Sequence, residues 1–173
     1  MTQIRYDQSG KARAFGAEAR SPLIEDQAED EEWRLAEYFK LHLHPSTMRA
    51  QQRIVVEPLP EGVSLQQVYA DFFGYLFRHT QSFFEDHEIS GAEIWANLRD
   101  KIEIVIAHPN GWGPQEQGFL RQAAIQGGLV SSPALAHRQI LFVSEAEASV
   151  HFVMLHADLE SRLKASWFFI TAE

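Results

Sequence analysis

Two histidines, His42 and His44, are the first residues in this sequence whose type and spacing could support chemistry. On a β-strand, side chains two positions apart leave on the same side, so both imidazoles could bind one metal ion. A third ligand would have to come from an aspartate or a histidine elsewhere, because no H-E-x-x-H or similar spacing supplies it. Two interpretations follow: a small metal-dependent hydrolase, or a solvated strand end before Pro45, which the pattern favours.

Two further candidates, His108 and Trp112, lie where an apolar run gives way to a loop. His108 could line a cleft, although a histidine at a strand end is more often hydrogen-bonded within the fold. Trp112, between two glycines, could anchor a partner from a loop tip or pack down onto a sheet.

Composition excludes several classes of function. A length of 173 residues suits one domain, and a hydrophobic content of 45% is enough for a core. A formal charge of −9 argues against nucleic acid as a partner, and the lack of cysteine excludes disulfides and thiolate chemistry. The first residues lack the apolar region of a signal peptide, and no apolar run is long enough to span a membrane. We therefore expect a soluble, cytoplasmic protein.

The elements that would position these residues alternate between strands and helices. This alternation predicts an α/β protein with a mixed sheet and flanking helices, in which the front strands are antiparallel and later strand–helix units can be parallel. The predicted elements before residue 100 are a hairpin over 4–15, an acidic helix start over 25–32, a short strand over 38–41, an irregular connection over 45–62 and a helix over 65–86 capped by Ser64, with 89–99 ambiguous. After it come a buried strand over 101–107, a helix over 114–126 ended by Gly127 and Gly128, a strand over 139–143 and a helix that begins over 144–149.

Four sequence blocks stand in the order found in a known family of ATPases. Residues 6–19 look like a hairpin ending in a G-x-x-A turn, 38–41 like a block with a catalytic lysine, 107–112 like a V-P-A strand end, and 144–149 like an N-E-P-T-A-A block. This succession, from Ile4 to His156, resembles lobe I of the actin-like ATPases, in particular the divergent fungal relatives of the 70 kDa heat-shock chaperones. The resemblance implies a partial actin-like ATPase (ribonuclease H-like) lobe over residues 1–157, followed by a divergent tail over 158–173.

The resemblance also implies site residues. Lys40 and Glu145 would be catalytic, and Pro109 would occupy the position of a conformational switch rather than contact a ligand. The cofactors that the resemblance implies are ATP and magnesium, which we do not expect this chain to bind alone. The residue types suit that chemistry: a lysine offers a compact charge to phosphate, and a glutamate can act through the water shell of the metal. If the assignment is correct, Lys40 and Glu145 should converge on one cleft, with Pro109 nearby.

Several parts of the family's machinery are missing. The sequence has neither the Gly-Thr-Thr hairpin nor the second glycine-rich phosphate loop, and Ala146 replaces the proline that follows the family's glutamate. The adenosine-binding lobe would follow residue 156. We therefore expect a truncated, chaperone-related ATPase module without independent ATPase activity; the alternative is part of a functional ATP-binding chaperone completed by missing segments.

The last sixteen residues match no part of that family. Ala165–Ile170 is apolar, aromatic and uncharged, which is unusual near a terminus. Such a segment either packs onto a surface that the missing lobe would have covered or drives association. The sequence therefore predicts a protein partner, or self-association, through this tail.

Overall fold

The computed structural model describes residues 2–52 and 55–156, which form a mixed α/β fold of short sheets and flanking helices. The strands are β1 (Gln3–Tyr6), β2 (Ala12–Phe15), β3 (Arg34–Glu37), β4 (Ile104–His108) and β5 (Ile140–Ser144). The α-helices are α1 (Pro22–Asp30), α2 (Ser46–Gln52), α3 (Leu65–His87), α4 (Gly91–Leu98), α5 (Pro114–Gln126), α6 (Pro133–Gln139) and α7 (Glu145–His156). None of the helices in this part of the chain is long and apolar enough to cross a membrane.

The predicted front hairpin is confirmed, and it belongs to an antiparallel sheet with the strand order β2-β1-β3. Its turn is held by the Asp7 carboxylate, which accepts from the backbone N–H groups of Ser9 and Lys11. Tyr6 is fully buried, and its hydroxyl donates to Asp71 of α3 over 3.0 Å. This bond ties the front sheet to the central helix.

Helices α3 and α5 pack against each other across the middle of the fold. Both were predicted, and the Ser64 cap is confirmed because its hydroxyl accepts from the Gln67 N–H over 3.1 Å. The backbones approach closely at Gly74 and Gly127, where an added Cβ on Gly74 would lie 2.8 Å from the Gly127 carbonyl oxygen. A core cluster beside this contact contains Ile4, Tyr6, Ala36, Phe39, Val63, Val68, Tyr69, Trp112, Leu120 and Ala123.

The second sheet consists of β4 and β5, which pair in parallel from Ile104 opposite Ile140 to His108 opposite Ser144. The prediction of a buried strand over 101–107 is only partly correct: the strand begins at Ile104, and none of residues 101–107 is buried, with Val105 61% exposed. An all-apolar strand usually indicates a sheet covered on both faces. Among the described residues, little covers the face of β4 that carries Val105.

The segment 38–41 is not the predicted strand. The strand ends earlier, at Glu37, and a 3₁₀ helix runs over Phe39–Leu43. Tyr38 has a left-handed backbone conformation (φ 50°), so the chain changes direction there and does not continue the strand. The Phe39 ring that follows is buried in the core. Packing of this aromatic ring in the core therefore outweighs the local preference of residues 38–41 for a strand.

Three helices were not predicted. Helix α2 lies inside the region expected to be irregular, while α4 and α6 occupy segments that the sequence left unassigned. All three are short, seven or eight residues each, so they show too few turns for a helical period to be recognised. The predicted tail, 158–173, lies outside the described residues.

Candidate functional site

Lys40, Pro109 and Glu145 line one open cleft of about 540 Å³. The convergence expected of these residues is present, although they come from a 3₁₀ helix, a loop and the start of α7. The cleft is completed by Leu41, His44, Met48, Asn110, Gly111 and Ala146. The catalytic role of Lys40 and Glu145 and the switch role of Pro109 remain predictions.

Two of the three residues are brought together by the second sheet. Parallel pairing places the carboxyl ends of β4 and β5 side by side, with His108 opposite Ser144. Pro109 directly follows the first strand, and Glu145 directly follows the second. In α/β sheets, ligands bind at this carboxyl edge because loops and helix N-termini meet there.

Lys40 is positioned by its neighbour Phe39. The Phe39 ring is 1% exposed and makes edge contacts with Tyr69 and Phe72 of α3, at centroid distances of 5.2 and 5.6 Å. Because this anchor is fixed, the following side chain leaves the core and enters the cleft.

Inside the cleft, the Lys40 ammonium group forms an ion pair with the Glu145 carboxylate. The two side chains are 44% and 47% exposed, so solvent screens the pair and it adds little to stability. Glu145 also lies in the first turn of α7, where a carboxylate complements the helix dipole. The pair thus leaves the cleft with little net charge for an anionic ligand.

Behind the ion pair, Trp112 forms a hydrogen bond with His44, and its ring stacks near that of His108 at a centroid distance of 6.4 Å. Trp112 is 6% exposed, and its indole N–H donates to His44 Nδ1 over 3.0 Å. His108 is also buried: its Nδ1 lies 2.8 Å from the Pro109 carbonyl and its Nε2 lies 3.1 Å from the Gln117 amide nitrogen. The structural interpretation of His108 and the inward packing of Trp112 are confirmed.

The pKa of His44 is lowered from its ordinary value of 6.5, first by burial and then by the charge of Lys40; Arg49 adds to the effect and Glu145 opposes it. A neutral imidazole also fits the hydrogen bond, because Nδ1 must accept from Trp112. His44 is therefore neutral at pH 7 and holds the indole in place.

We predict that acidification below about pH 6.5 destabilises the protein partly through His44. Because the folded state disfavours protonation, the unfolded state binds more protons as the pH falls from that value towards the folded pKa, and the free energy of unfolding decreases. The check is urea denaturation of the wild type and of His44→Asn across this range. A His44→Asn variant with an unchanged pH slope would contradict the prediction.

The interpretation of His42 and His44 as a metal site required both side chains to lie on one face of a strand, and this requirement is not met. The two residues lie on a 3₁₀ helix and at its end, not on a strand, so they do not share one face. His42 Nε2 lies 2.9 Å from the Glu57 carbonyl, whereas His44 is bonded to Trp112. In the ranges 2–52 and 55–156, no group of three or more histidine or carboxylate residues is placed to hold a metal ion.

The sequence did not indicate that four further residues of the cleft belong to one site: His44, Met48, Asn110 and Gly111. The position of His44 just after the lysine block could have placed it in the cleft. The prediction of a strand led instead to its interpretation as a metal ligand. Trp112 stabilises the wall of the cleft through the hydrogen bond that its indole N–H donates to His44.

Comparison with family models, curated proteins and solved structures gives no match to this chain.

Proposed function

We propose that this chain is a partial actin-like ATPase lobe of the ribonuclease H-like type, related to the 70 kDa heat-shock proteins, and that it acts as a non-catalytic, chaperone-related interaction module in the cytoplasm. One observation carries the proposal: Lys40, Glu145 and Pro109 meet in a single cleft. Lys40 and Glu145 are 105 positions apart, and surface residues at that separation would not be expected to share a cleft if they were unrelated.

The composition of the cleft is consistent with the proposal that this chain does not hydrolyse ATP on its own. Phosphoryl transfer needs backbone N–H groups around the phosphates, a metal held by oxygen ligands and an oriented nucleophile. Here the lysine charge is already paired with Glu145, and the sequence contains neither glycine-rich phosphate loop. The residues present fit one corner of a nucleotide site: Lys40 would face a phosphate and Glu145 a hydrated magnesium ion.

We predict that magnesium–ATP binds more weakly than roughly 1 mM, equivalent to about −4 kcal/mol, and that the protein does not hydrolyse it. Isothermal titration calorimetry measures the affinity, and phosphate release measures hydrolysis. Micromolar binding would overturn this prediction.

A matched pair of variants shows whether any residual binding uses the cleft. Lys40→Ala should abolish it, whereas Arg20→Ala should not, because Arg20 forms a comparable exposed ion pair with Glu37 away from the cleft. Equal loss in both variants would indicate non-specific attraction of the anion and remove support for a nucleotide-derived cleft.

A second candidate is part of a functional ATP-binding chaperone, completed by segments that this chain lacks. It is favoured by the openness of the cleft, whose ion pair is about half exposed and accessible to an added segment. A Gly-Thr-Thr hairpin encoded directly upstream of Met1 would favour this candidate over the first.

A further inference from the structure

An apolar groove of about 600 Å³ runs between α3, α4 and β4 and shares no lining residue with the Lys40 cleft. Its walls include Phe77 and Phe84 of α3, Trp95 of α4 and Val105 of β4. Glu103 is the one charged residue among the described residues that line it. A groove of this size and composition would be unfavourable if it were left in contact with water.

The groove shares three lining residues, Phe73, Ile106 and Ala107, with a smaller cavity of about 170 Å³ that Lys40 also lines. Tyr69 also lines this cavity; it is 6% exposed, and its hydroxyl has no hydrogen-bond partner among the described residues. A buried hydroxyl without a partner costs about 1 to 3 kcal/mol. An occupant that extends from the groove into this cavity would need to bring a polar atom together with its apolar groups.

The outer edge of β4 indicates which kind of molecule would bring both apolar groups and a polar atom. Within the described residues, β4 pairs with β5 alone, so its other edge presents unpaired backbone N–H and C=O groups along the groove. An extended polypeptide satisfies such an edge through its own backbone and fills the adjacent pockets with its side chains. Where such a polypeptide also enters the smaller cavity, one of its backbone carbonyls would be a suitable acceptor for the Tyr69 hydroxyl.

We propose that the groove beside β4 binds the segment Ala165–Ile170 of the same chain. The sequence of this segment, Ala-Ser-Trp-Phe-Phe-Ile, is uncharged and aromatic, and so matches the apolar groove. The residues between His156 and Ala165 can span about 30 Å when extended. That reach is about twice the radius of gyration expected for a domain of this size, roughly 15 Å, so the connection is long enough.

Cross-linking of the full chain tests the proposal, because the protein has no cysteine and introduced thiols are unique. We pair Phe168→Cys with Val105→Cys in the groove, and treat the protein with a short bismaleimide. The control pairs Phe168→Cys with Leu23→Cys, which is 77% exposed on α1. We expect the intrachain product from the groove pair to exceed the control by on the order of tenfold, since docking raises the local thiol concentration.

Two outcomes would overturn the proposal. Equal yields from both pairs would mean that the segment does not dock in the groove. Cross-linked dimers that disappear on dilution would mean that a second copy supplies the segment. A second groove position, Leu76→Cys on α3, repeats the test with a side chain that is 43% exposed, and circular dichroism confirms that each variant is folded.

Discussion

Replacing Phe39 with alanine is expected to lower the free energy of unfolding by about 3 to 5 kcal/mol, the usual cost of truncating a buried phenylalanine. The ring is 1% exposed and contacts Tyr69 and Phe72 of α3. Its removal opens a void where the front sheet meets the central helix. Urea denaturation followed by circular dichroism measures the change.

Phe83→Ala is the matched control, because this phenylalanine lies on α3 but is 59% exposed. Surface substitutions of this kind change stability within roughly 0.5 kcal/mol. If the two variants lost similar stability, Phe39 would not be an anchor, and the explanation for the position of Lys40 would fail with it.

Replacing Gly127 with alanine is expected to destabilise the protein by about 1 to 3 kcal/mol, the range for forcing extra volume into a packed interior. An added Cβ would collide with the Ala70 carbonyl of α3 and would lie 3.1 Å from the Gly74 nitrogen. Both contacts are backbone atoms, so no side chain can move aside. Thermal or urea denaturation measures the loss.

Gly118→Ala provides a control of the opposite sign. Gly118 lies inside α5, and an added Cβ there meets no atom within 4 Å. Alanine in an open helical position should stabilise the protein by roughly 0.5 to 1 kcal/mol, because glycine loses more backbone entropy on folding. Destabilisation by both substitutions would show that crowding between α3 and α5 is not the cause.

Gly127 illustrates where sequence reasoning was correct for an incomplete reason. The pair Gly127-Gly128 was predicted to end α5, and the left-handed backbone of Gly128 (φ 77°) fits that role. Gly127 itself has an ordinary φ of −76°, and its lack of a side chain serves the contact with α3. A local sequence pattern indicates helix ends but not which distant backbone will pass nearby.

The fold prediction was correct where local sequence determines the structure and wrong where distant residues determine it. The long helix α3 and the turn at Asp7 were predictable, because many spaced apolar residues or local side-chain bonds determine them. The 3₁₀ helix at Phe39 was not, because its conformation depends on aromatic rings from α3. Exposure of Val105 was missed because the sequence of a strand does not reveal whether both faces are covered.

For the candidate site, the order of the sequence blocks predicted that Lys40, Pro109 and Glu145 would meet. It did not predict that the lysine and glutamate would bind each other, because block order carries no information about side-chain direction. The indole–imidazole bond between Trp112 and His44 was also missed, since these residues lie far apart in the sequence.

The parallel pairing of β4 with β5 has a consequence for the order in which the molecule assembles. Strands β1 and β2 are joined by a tight turn, and a hairpin of this kind forms in about 1 to 10 μs. Strands β4 and β5 are separated by α5 and α6, so their contact must first overcome the entropy of closing a long loop. Lys40 follows β3, whose pairing with β1 also closes a long loop, and Glu145 follows β5. We therefore expect the cleft to be absent from early folding intermediates and to form only when the late, non-local strand pairing is complete.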